Sequence, residues 1–126
     1  MKLNLGLLIL RIFAGLTMLM GHGWGKLTNF STLSAKFPDV IGLGSQVSLS
    51  LAVFSEVFCA AFLVLGLLTR WVSIPLFITM AVAFFIVHGA DPFKSKELAF
   101  MYMGIYGALI CTGGGDFSID RFIKKA

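Results

Sequence analysis

The sequence predicts an all-α integral membrane protein, a four-helix bundle running up-down-up-down. Three observations carry that prediction. The 126-residue chain is 58% hydrophobic and only 13% charged, far from the balance of a water-soluble domain. Its apolar residues gather into four runs, at residues 5–23, 49–68, 72–87 and 98–112. A soluble domain this small has too high a surface-to-volume ratio to bury so much apolar surface, so lipid must solvate the outside. Four such helices pack as one bundle, giving a single transmembrane domain over residues 1–126.

At a rise of ~1.5 Å per residue the first three runs reach ~24–30 Å, close to the thickness of a hydrocarbon core. The first begins like a signal peptide, with Lys2 ahead of apolar residues. Arg11 interrupts it and no small-x-small cleavage site follows, so it is a permanent span. Thr69, Arg70 and Trp71 form a tight joint between the second and third runs, with Pro75 in the first turn of the third. The fourth run is shorter and borrows Phe93–Glu97 or the glycines after Thr112 to finish its crossing. The long connection Trp24–Ser48 carries Phe30, Phe37 and Pro38. Long connections are often functional, and this one either folds back on the bundle as a lid or lies in the interface.

The basic residues flank the runs. Lys2, Arg70, Arg121, Lys124 and Lys125 fall on one side, and Lys26, Lys36, Lys94 and Lys96 on the other. That asymmetry favours both termini in the cytoplasm. The net charge of +4 is spread among helix ends and loops and forms no patch for nucleic acid. Cys59 and Cys111 belong to no C-x-x-C pair and differ in depth, so both read as small buried packing residues.

Two full charges lie inside the runs, and a bilayer tolerates such charges only when they are partnered or functional. Arg11, Gly15, Met18 and His22 share one helical face at ~100° per residue, so this face should point into the bundle. Gly15 leaves room for a neighbouring helix. Glu56 is the expected partner of Arg11 across a depth difference of roughly 8 Å. The pair reads either as a structural link or as the polar centre of a proton or redox-ligand site. His22 and His88 end their spans at the same face, as interfacial residues, headgroup donors or axial haem ligands. Imidazoles that bind a polar headgroup or relay a proton are favoured over haem. Tyr102 and Tyr106, four apart, share a face. Gly104/Ala108 and Gly107/Cys111 have the spacing of close helix contacts. No dinucleotide fingerprint, P-loop or metal-ligand cluster is present.

Arg11 with Gly15, His22-Gly23-x-x-Lys26, Glu56, Gly66-Leu-Leu-Thr-Arg70, His88 and the ending Gly113-Gly-Gly-Asp-Phe-Ser-Ile-Asp120 together resemble the DoxX/DoxD family. The resemblance covers nearly the whole chain. Asp116 departs from it, standing where a basic or polar residue is more usual. The resemblance implies a four-helix bacterial-type membrane protein of the plasma membrane. Some relatives are linked to sulfur-compound oxidation coupled to membrane quinone, or to redox and thiol stress.

The resulting expectation is a redox-associated subunit of a membrane quinone-linked oxidoreductase, binding a quinone-like or other apolar-bodied ligand. Arg11 and Glu56 would form its polar centre, and His22, His88, Lys26, Tyr102 and Tyr106 would hold the ligand. Membrane lipid, a redox partner protein and further copies of the chain are the expected partners. The rival readings are a non-catalytic subunit that docks or stabilises a partner enzyme, and a small oligomeric transporter or channel.

Overall fold

The computed structural model describes residues 2–34, 36, 37, 39 and 42–125. They form helices and connecting turns, with no strand among the described residues. Pro38 of the long connection lies outside them. The helices are α1 (Lys2–Thr28), α2 (Phe30–Leu33), α3 (Ser45–Leu65), α4 (Thr69–Val87), α5 (Phe93–Thr112) and α6 (Ile119–Lys125). By length and composition α1, α3 and α4 are each able to cross a membrane. The fourth long helix, α5, has 20 residues but opens with Lys94, Lys96 and Glu97 in its first turns. The molecule is an all-α membrane bundle whose outer face is apolar, with Phe13, Phe58, Trp71 and Phe100 among its exposed side chains.

Helix ends differ from the apolar runs because hydrogen bonds, and not hydropathy, end a helix. In α1 the helix runs through Trp24–Thr28, which hydropathy alone assigned to the long connection. It stops at Asn29, whose side-chain amide and backbone N–H both donate to the Gly25 carbonyl, at 2.9 and 3.1 Å.

The turn between α3 and α4 is Gly66–Leu68, three residues earlier than the expected joint. Gly66 sits at φ 74°, in the left-handed region that favours glycine. The Leu67 amide donates to the Phe62 carbonyl at 2.9 Å, and the Gly66 amide to the Leu63 carbonyl at 3.1 Å. This paired pattern closes a helix C-terminus. Thr69, Arg70 and Trp71 therefore form the first turn of α4. Pro75 consequently lies within α4 and removes the bond to the Trp71 carbonyl.

Three of the long helices contain a stretch of π-helix: Leu19–Gly23 in α1, Phe54–Cys59 in α3 and Ala83–Val87 in α4. Such turns widen a helix and re-aim its side chains, often at functional sites.

The main core joins α1, α3, α4 and α5 through Met18, Leu63, Leu76, Tyr106 and Leu109, all fully buried. Gly15 is buried where α1 crosses α3, and a Cβ there would meet Val64 and the Ala60 carbonyl. A second cluster packs Phe30, Leu33 and Phe37 of the long connection against Leu49, Val53 and Val57 of α3. Of the two alternatives for this connection, folding back on the bundle is the one observed.

After α5 the chain turns back across the end of the bundle that holds the start of α1. Asn4 and Asp116 exchange two hydrogen bonds, one from each residue, at 2.9 and 3.1 Å. The Asp120 carboxylate accepts from the Leu68 and Thr69 amides at 2.7 and 2.9 Å, capping α4. The Asp120 amide in turn donates to the Gly66 carbonyl at 3.0 Å.

Candidate functional site

A cavity of about 510 Å³ opens between the halves of α1, α3, α4 and α5 remote from this closing segment. Leu51, Ala52, Ile78, Ala83, Val87 and Ala99 give it mostly apolar walls. His22, Lys26, Ser48, Glu56, His88, Lys96 and Tyr102 supply its polar groups. Each π-helical stretch contributes to the lining: His22 from α1, Glu56 from α3, and Ala83 and Val87 from α4.

Glu56 is 3% exposed, and the Lys26 ammonium donates to its carboxylate at 2.6 Å. Buried charges need a close partner and further hydrogen bonds to persist in a low dielectric. The extension of α1 beyond the apolar run makes this pair possible, because Lys26 stands one turn past His22 on the same helix. His88 holds the Asp91 carboxylate through Nδ1 at 2.9 Å. The His22 ring meets Tyr102 edge to face, with centroids 5.9 Å apart. One hydroxyl of the cavity lining, that of Ser48, is buried without a hydrogen-bond partner. Unsatisfied buried hydroxyls are uncommon and mark places where a further polar group fits.

The expected Arg11–Glu56 pair is not formed. Arg11 is fully buried on the predicted face with Gly15 and Met18, but its guanidinium points towards the closing segment. One terminal nitrogen donates to the Phe117 carbonyl and the other to the Leu63 carbonyl at 3.4 Å. Asp120 supplies the nearby negative charge. The reason is reach: the chain beyond α5 brings a carbonyl and a carboxylate to Arg11, while Lys26 brings an ammonium to Glu56. Arg11 therefore belongs to the sealed end of the bundle and does not line the cavity.

Tyr106 is also outside the cavity. It stacks on Tyr102 with centroids 5.7 Å apart, and its hydroxyl donates to the Ala14 carbonyl at 3.3 Å. One turn deeper than Tyr102, it fills the core between α1 and α5. Cys59 is buried as expected, whereas Cys111 is exposed at the end of α5; both are free. Sequence reasoning missed Ser48 and Lys96 as lining residues and Asp120 as a cap. Asp120 carried a usable signal, a carboxylate shortly after a glycine-rich helix terminator. Ser48 and Lys96 carried none. Among the described residues no group of three or more His, Cys, Asp or Glu side chains is placed to hold a metal ion.

The fold and its cavity define a small integral membrane helix bundle with an ion-paired, largely apolar chamber. The chain belongs to the DoxX family, whose model matches residues 6–89, from the start of α1 to the turn after His88. The match takes in Arg11, His22, Lys26, Glu56 and His88, and leaves out α5 and the closing segment. An uncharacterized protein of Haemophilus influenzae (strain ATCC 51907 / DSM 11121 / KW20 / Rd) is 29% identical over 134 residues, covering 97% of this chain and 85% of that protein. No solved structure matches the chain.

Proposed function

We propose that the protein is a redox-associated membrane subunit that binds a quinone-like, apolar-bodied ligand in the cavity between α1, α3, α4 and α5. The observation carrying this reading is the Lys26–Glu56 pair, set in an apolar chamber of about 510 Å³. Ligand sites combine apolar walls with a few convergent polar groups that fix orientation. The Lys26 ammonium is a donor for a carbonyl oxygen, and the Glu56 carboxylate can hold or release a proton beside it. His22 and His88 add two imidazoles to the same lining, and imidazoles can pass protons. The partnerless Ser48 hydroxyl fits a second oxygen on the ligand.

A pore through one chain is disfavoured by the other end of the bundle. There Arg11 is fully buried, and a Cβ on Gly114 would already collide with the Thr69 hydroxyl. The protein is assigned to the bacterial plasma membrane, with both termini cytoplasmic and the cavity mouth on the opposite side.

The test is extraction and identification of lipids that co-purify with the protein, followed by titration with a short-tailed benzoquinone. Saturable binding that Glu56→Gln or Lys26→Met weakens about tenfold, the size of one charge-assisted hydrogen bond, is expected. Binding that neither change alters would overturn the assignment of the site.

A further inference from the structure

Lys96 is the cation that the cavity does not neutralise. Lys26 is matched by Glu56, the carboxylate that lines the cavity with it. Lys96 has no carboxylate within ion-pair distance among the described residues. Its ammonium donates to the Gly89 carbonyl at 3.3 Å and lies 4.6 Å from the centroid of the Phe84 ring. It lines the cavity beside Ser95 on the first turn of α5 and is partly buried. Ser48 of α3, 4% exposed and with its hydroxyl unpartnered, lines the same cavity. A half-desolvated ammonium with only a carbonyl and an aromatic face for company is unsaturated, since it can donate three hydrogen bonds. The first-turn amides of a 20-residue helix add positive potential on the same side. With Lys26 cancelling Glu56, the lysine and carboxylate side chains that line the cavity leave one positive charge over, that of Lys96.

We infer that the cavity selects ligands whose apolar body carries an anionic oxygen, and that Lys96 reads that charge. The inference rests on the cavity being the ligand site and adds the class of ligand. Two kinds of molecule share this chemistry, a fatty carboxylate and an ionised hydroxyquinone. The apolar walls formed by Leu51, Ile78, Val87 and Leu98 suit the body of either.

The experiment measures affinities of the full-length protein, purified in a neutral-headgroup detergent at low salt, for two matched probe pairs. One pair is dodecanoate and dodecanol; the other is an ionised alkyl-hydroxynaphthoquinone and its methyl ether. Each neutral partner corrects for partition into the micelle. The anionic member is expected to bind about tenfold more tightly in at least one pair, as one charge-assisted hydrogen bond requires. That preference should vanish in Lys96→Ala, survive in Lys96→Arg and shrink with added salt. Elution of each variant as a single species in size-exclusion chromatography guards against misfolding. If dodecanoate alone shows the preference, the ligand is a fatty acid; if the naphthoquinone alone shows it, the ligand is an acidic quinone. Equal affinity within both pairs, or an equal loss for charged and neutral probes in Lys96→Ala, would overturn the inference while leaving the cavity as a ligand site. Failure of all four probes and of a neutral benzoquinone would remove the ligand site itself, and the inference with it.

Discussion

Glu56 and Arg11 solve the same problem, a charge inside a membrane bundle, by different means. Glu56 takes a mobile ammonium from the neighbouring helix, whereas Arg11 takes main-chain carbonyls from two separate segments. Removing one member of a buried pair strands the other, at a cost of ~3–5 kcal/mol in soluble proteins. Glu56→Gln and Lys26→Met should each destabilise the protein, and the double variant should lose less than the sum by roughly 0.5–3 kcal/mol. By contrast, Arg11→Gln and Glu56→Gln should combine additively, because the two residues share no partner. Denaturation in mild detergent measures both cycles, and marked coupling between Arg11 and Glu56 would contradict the separation of the two sites. His22 and His88 give a third residue-scale prediction. Alanine at either should weaken ligand binding while leaving the melting temperature within a few degrees, since neither belongs to the buried core.

At the scale of elements, one turn and one cap organise the sealed end. Gly66 combines a left-handed backbone with a close approach to Arg11, so a Cβ there would meet the guanidinium itself. Gly66→Ala should therefore destabilise by more than the ~1 kcal/mol of backbone strain alone. Asp120 caps α4 from outside it, accepting the amides of Leu68 and Thr69. Loss of such a cap costs ~0.5–2 kcal/mol. Asp120→Ala should show that loss in thermal unfolding, and should also increase protease access to the closing segment. The π-helical stretches have no such local rule behind them. Their positions around the cavity follow from how α1, α3 and α4 pack, and none has a distinguishing sequence signal.

For the whole molecule, the start of α1 and the closing segment are held at one end by Asn4, Arg11, Asp116 and Asp120. Ser31 lies at the other end, in the connection that folds onto α3. Four crossings follow if α5 spans the membrane despite its charged first turns. In a background lacking Cys59 and Cys111, a single cysteine at Ser31 should then react with an impermeant thiol reagent on intact cells. Cysteines at Lys2 and Lys125 should react only after permeabilisation. Opposite accessibility of Lys2 and Lys125 would mean an odd number of crossings.

Much of this was legible in the sequence because membrane insertion is governed by composition over long runs. The all-α class, the apolar exterior and the inward face of Arg11, Gly15 and Met18 follow from patterns within single helices, and the family from the order of motifs along the chain. The lengths of those helices were less legible, since Asn29 and Gly66 end α1 and α3 by hydrogen bonds that hydropathy does not register. Which charges meet was not legible at all. Arg11 and Glu56 are the two charges inside the spans, yet each has a partner from beyond a span: Lys26 past the end of the first apolar run, and the Phe117 carbonyl in the segment after α5. Local periodicity fixes the face a residue occupies. The rotation and offset of packed helices fix whom it meets there, and those depend on side chains from every element at once. Tertiary structure alone therefore separated the sealed arginine end from the open cavity, and left Lys96 there without a carboxylate partner among the described residues.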